Sequence, residues 1–152
     1  MVLDVGLLTD SLLSHVTARI ASLVVSTPRP LVGDGVAPAG GGWLEGQPGQ
    51  GVFRPYAVVA SAGVSPVYQN LSSFDPDWNA SFSLRSFGGS RKQCDWMANL
   101  SRLAIAGFVP KSVGSFSVIG LQWGGLGPTS RVDATEPPFW QVFDSFSLVL
   151  SS

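Results

Sequence analysis

One histidine and one cysteine stand among 152 residues. A lone Cys94 forbids an internal disulfide and a cysteine-based metal cluster. A lone His15 would have to serve any Ser-His-Asp or Cys-His arrangement by itself. It falls inside a helical pattern, between Leu12 and Arg19, rather than on a loop at a cleft mouth. Charge is scarce as well: Asp, Glu, Lys and Arg make up 12% of the chain, against about 25% in an average soluble domain. The nine basic residues are scattered, with only Arg91 and Lys92 adjacent. That excludes the basic stripe on which nucleic-acid binders depend. No apolar run is long enough for a membrane helix. Asp4 stands where a secretory leader would carry a basic residue, so synthesis in a cytoplasm is the expectation.

What is present is apolar and small. Hydrophobic residues reach 45%, with 18 glycines and 11 prolines. A near-neutral surface of this kind favours association with neighbours. The length suits a single domain, 1–152, with its own core.

Leu8, Leu12, Val16, Ile20, Leu23 and Val24 recur at spacings of three and four. They predict an amphipathic helix from about Thr9 to Val25, capped by Thr9 or Asp10 and stopped by Pro28 and Pro30. A Gly/Pro-rich stretch at about 26–51 follows, long for a loop inside a compact domain. Trp43 and Leu44 are apolar there; they either tuck back onto the domain or dock on a neighbouring subunit. Val52 to Gly63 reads as a strand with Pro55 at an edge or entrance. Trp78, Ala80, Phe82 and Leu84 alternate with polar residues, as in a half-buried strand. Ser90 to about Ala106 is the second helix, with Ser90 and Gln93 forming a capping box and Gly107 as its stop. "SVGSFSVIGLQWGG" reads as one strand, twisted or bulged at its glycines. A second loop at about 124–138 leads to a last strand, "FWQVFDSFSLVL". The expected fold is α+β, in the order α-β-β-α-β-β. Two helices would pack on one face of a four-stranded, largely antiparallel sheet.

Between the second strand and second helix lies "FSLRSFGGSRKQCDW", which has the outline of an anion-binding loop. Glycines precede a helix start whose N–H groups and dipole would suit a phosphate, with Arg91 and Lys92 beside it. The P-loop spacing and the three-glycine dinucleotide fingerprint are both absent. A sharp corner accounts for the glycines. Cys94 sits near that helix start, but on its apolar face, as a small buried hydrophobe would. Asp75 and Asp77 have the spacing of two calcium ligands without the rest of a calcium loop. No catalytic, metal or cofactor site emerges.

Three segments carry a resemblance: "LLTDSLLSHVTARIASLVV", "DWNASFSLRSFGGSRKQCDWMANLSRLAI" and the closing "FWQVFDSFSLVLS". In their order they resemble the tail terminator proteins of siphovirus-type bacteriophages, those of actinobacteriophages in particular. The resemblance implies a structural virion protein and no enzyme: a homohexameric ring at the tail-neck junction, made in the host cytoplasm. Such a ring caps the tail tube, stops its polymerisation and joins it to the head-side connector or stopper. Genomic DNA would pass through the lumen without sequence-specific binding, and no membrane is involved. Candidate contacts are Trp43 and Leu44 for a neighbouring subunit. Arg131, Asp133 and Glu136 are candidates for the tube or connector, and Arg85, Arg91 and Lys92 for a subunit boundary. Two other readings remain open: a different neck protein, such as a head-completion or head-tail adaptor subunit, or a small ligand-binding or hydrolytic α+β domain.

Overall fold

The computed structural model describes residues 3–25, 29–44, 52–67, 77–106, 112–134 and 137–151. Among them are two helices, α1 (Val5–Leu23) and α2 (Arg91–Ala106). The strands are β1 (Leu31–Asp34), β2 (Gly42–Trp43), β3 (Phe53–Arg54), β4 (Tyr56–Val67), β5 (Asp77–Gly88), β6 (Ser112–Val113), β7 (Phe116–Leu126), β8 (Ser130–Val132) and β9 (Phe139–Ser151).

The sheet corrects the expected four-stranded architecture. It has seven strands in the order β1-β4-β5-β9-β7-β6, with β8 paired to β9 beyond the end of β7. A separate two-stranded ribbon joins β2 and β3. The sheet is mixed: β1 runs parallel to β4, and the other pairings are antiparallel. Three local features account for the difference. The segment read as one strand from Ser112 is a hairpin, because Gly114 takes φ 59° and turns Val113 back against Phe116. The stretch read as a loop at about 26–51 contains β1 and β2, and that at about 124–138 contains β8. These strands are two to four residues long. They take their conformation from distant partners, which local periodicity cannot reveal.

Helix α1 starts earlier than its pattern suggests, because the Asp4 carboxylate accepts the Leu7 N–H at 3.1 Å and caps it. Thr9 lies inside the helix, its hydroxyl bonded to the Val5 carbonyl. Leu8, Leu12, Val16 and Ile20 form its buried stripe. Helix α2 buries Met97, Leu100, Ala104 and Ile105 in the same core, while Cys94 and Ala98 meet Val142. Its Leu103 is exposed. Gly107 lies outside the described residues.

Cross-strand register sorts the side chains between two faces, since directly paired residues share a face. Ala80, Phe82, Leu84 and Ser86 of β5 pair with Leu148, Phe146, Asp144 and Val142 of β9. That face packs under both helices, and Phe82 stacks on Phe146 at 5.4 Å. The opposite face carries Ser81, Ser83, Arg85 and Phe87 of β5 against Ser147, Ser145, Phe143 and Gln141 of β9. One end of it is closed by the β2–β3 ribbon. There Trp43 packs edge-on against Phe53, and Phe53, Tyr56 and Phe87 stack in series. The other end has no cover among the described residues.

Two sheet edges are open. Strand β6 covers β7 only at Phe116 and Ser117, so residues 118–126 of β7 have no outer partner among the described residues. Strand β1 covers β4 only from Tyr56 to Val59, which leaves residues 60–67 likewise open.

Candidate functional site

The stretch with the outline of an anion loop is packed by its own chain. At the start of α2, the Ser90 hydroxyl accepts the Gln93 N–H at 3.2 Å, and the Gln93 side chain accepts the Gly89 N–H at 2.8 Å. The Gln93 amide also donates to the Phe53 carbonyl at 3.1 Å, tying the corner to β3. Two of the N–H groups near this helix start, those of Gly89 and Gln93, are therefore engaged. The glycines are explained by packing. A Cβ on Gly88 would lie 2.4 Å from the Cys94 nitrogen, and one on Gly89 would lie 2.5 Å from Phe53 Cβ. Arg91 faces Asp95 at 4.0 Å one helical turn on, with both side chains largely exposed. Lys92 is exposed.

The remaining sequence candidates are dispersed. Trp43 is partly buried within its own chain, against Phe53 and the Gly89 corner. Leu44 beside it is exposed. Arg131 and Asp133 pair with each other at 2.8 Å on the surface next to β8. Glu136 lies outside the described residues, as does Asp75. Arg85 stands apart from all of these on the open sheet face, its guanidinium 4.6 Å from the centre of the Phe143 ring.

Two titratable groups are explained by burial. Burial pushes the Cys94 thiol up to about 12, with the nearby Asp95 carboxylate adding to the shift. Its Sγ–H donates to the Ser86 carbonyl at 3.4 Å, so it behaves as a core residue and is a poor nucleophile. Burial likewise lowers the pKa of His15, partly offset by its hydrogen bond to the Ala104 carbonyl at 3.1 Å. That bond joins α1 to the last turn of α2, which is a structural role. No group of three or more His, Cys, Asp or Glu residues among the described ones could hold a metal ion.

The polar cluster that sequence reasoning missed is Arg102, Trp123 and Asp144. Asp144 lies on the helix-covered face and is 0% exposed. Its Oδ1 accepts the Trp123 indole N–H at 3.2 Å, and its Oδ2 faces Arg102 Nε at 3.6 Å. The Arg102 guanidinium also lies 5.5 Å from the centre of the Trp123 ring. Loss of solvation raises the Asp144 pKa, against the opposing pull of Trp123 and Arg102. The signal was present: position 144 shares its parity with Val142, Phe146 and Leu148, so an acid there has to enter the core.

A scan against protein-family models finds no match, and a search of curated proteins finds no significant similarity.

Proposed function

We propose that this chain is a structural subunit that assembles head to tail with copies of itself, as the terminator ring of a siphovirus-type phage tail. The observation that carries the assembly half of the reading is the pair of unlike open edges, β7 on one side of the sheet and β4 on the other. Successive copies that join unlike surfaces close into a ring when the rotation fits.

An exposed edge is a template for pairing with another chain, and proteins that must stay apart defend it with Lys, Pro or charge. Residues 116–126 contain no charged residue, and neither do residues 60–67, although Pro66 interrupts the donors of the β4 edge. On β7 the bulge residue Ile119 is 60% exposed and Trp123 is 54% exposed. The phage half of the reading rests on the three resembling segments and the charge-poor, aromatic composition. Its partners would be the tail tube protein on one side of the ring and the head-side connector on the other, with DNA in the lumen.

Mass photometry of the purified chain, alone and with tail tubes, is the test. Discrete multiples of the 16.0 kDa subunit are expected, collapsing to monomer in Ile119→Lys, where an exposed cation is placed on the edge. Monomers under both conditions would rule the reading out.

A further inference from the structure

The open sheet face carries a second feature that the assembly reading does not use. Between β4, β5, β9 and β7 lies a trough of about 410 Å³ lined by Ser81, Ser83, Arg85, Phe143, Ser145 and Ser147, among others. It falls within the range of roughly 300–1,000 Å³ found for small-molecule sites. We propose that this trough binds a phosphate group, with Arg85 as its cation and the surrounding serine hydroxyls as donors.

Charge comes first. Among the described residues Arg85 is the one ionisable residue lining the trough, and it has no carboxylate partner there. Its guanidinium carbon lies over the Phe143 ring, 4.6 Å from the ring centre, and a guanidinium stacked on an aromatic ring keeps its N–H edge for hydrogen bonds. An edge-on guanidinium matches two oxygens of a phosphate.

The hydroxyls come second. Register places Ser83 opposite Ser145 and Ser81 opposite Ser147, so four hydroxyls stand on adjacent positions of one face. Ser83 is 7% exposed. It lines the trough. Gly124 keeps the wall low: a Cβ there would lie 2.6 Å from Ser145 Oγ and crowd that hydroxyl.

Phosphate oxygens reach such a site either from a small phosphorylated molecule or from the backbone of a nucleic-acid strand. One cation per subunit suits weak, sequence-independent contact in the second case. The site does not depend on whether the chain forms a ring.

The test is ligand-observed ³¹P NMR at constant ionic strength, with inorganic phosphate and a thymidine trinucleotide as probes. Saturable broadening of the phosphate line is expected with the wild type. It should weaken about tenfold in Arg85→Ala, the loss expected for a charged hydrogen-bonding partner, with an unchanged melting temperature. Arg85→Gln should behave alike. The Arg91→Ala/Lys92→Ala double variant should bind as the wild type does. Broadening of both probes assigns the site to a strand, and broadening of inorganic phosphate alone assigns it to a small ligand. No broadening overturns the proposal. So does broadening that survives in Arg85→Ala, or that disappears in the double variant. If Arg85→Ala changes only the oligomeric mass, the cation serves subunit contact and the proposal fails.

Discussion

Arg102 of α2 and Asp144 of β9 face each other at 3.6 Å across the helix–sheet interface, the carboxylate fully buried and the guanidinium reaching the surface. Among the described residues, neither Arg102 Nε nor Asp144 Oδ2 makes a hydrogen bond of good geometry. Trp123 ties the pair to β7, whose outer edge is open. The polar centre of the core is thus adjacent to the surface on which assembly is proposed.

Removing Arg102 leaves a buried carboxylate without its counter-charge. Arg102→Ala is expected to cost about 3–5 kcal/mol at neutral pH, the range for breaking a buried pair from one side. Asp144→Asn keeps an acceptor for the Trp123 indole and removes the buried charge, so its cost should be smaller. Urea unfolding of both variants at pH 7.5 gives the comparison. Equal losses would mean that the charge of Asp144 is immaterial.

The same pair sets a pH dependence. The folded pKa of Asp144 is raised above its ordinary value. The folded state therefore holds this proton more tightly than the unfolded chain does. Its contribution is full in acid and is lost as pH rises through the folded value. In Arg102→Ala the pKa should rise further, so part of the stability lost at pH 7.5 should return at pH 5. Urea midpoints at the two pH values check this.

His15 acts with the opposite sign. Its folded pKa lies below its ordinary 6.5, so the stability it contributes is full above that value and is lost as pH falls through the folded one. His15→Gln should flatten the acid side of the stability profile between pH 7 and 5. A profile identical to the wild type's would show that His15 does not titrate on folding.

The glycine corner gives a prediction that separates packing from ligand binding. Gly88→Ala forces a Cβ against the α2 backbone, and overpacking of that kind costs about 1–3 kcal/mol. Gly89→Ala meets Phe53, whose Cβ is fixed to β3, and should cost a similar amount. Denaturation midpoints of the two variants, with and without phosphate, are the measurement. A loop that held a phosphate would show instead a loss of phosphate stabilisation with little change in the unliganded midpoint.

Cys94, with its thiol pushed up to about 12, should resist a thiol-specific disulfide reagent in the folded protein and react in full in urea. Rapid labelling of the native chain would contradict its burial.

Much of the framework is legible in the sequence, at the level of single elements. The four-residue rhythm of Leu8, Leu12, Val16 and Ile20 places α1. The Ser90–Gln93 pair places the start of α2, and the alternation around Phe82 and Phe146 places the central strands. The sheet as a whole is not legible, because β1, β2, β3, β6 and β8 are each four residues or fewer and exist through their partners. Asp144 is given away only by its parity with Val142, Phe146 and Leu148; read locally, "FDSF" is a polar break in an apolar strand. The trough was hidden for a different reason. Ser81, Ser83, Ser145 and Ser147 look like ordinary solvent-facing positions until register sets them side by side with Arg85.

The central claim is a ring of identical subunits at the end of a phage tail, and negative-stain electron microscopy of tails assembled with and without this chain tests it most directly. The account predicts a closed ring at one end of tails of uniform length, and tubes that overgrow when the chain is withheld. Tails of the same length distribution in both cases, with no ring density on them and only monomers in the free fraction, would contradict it.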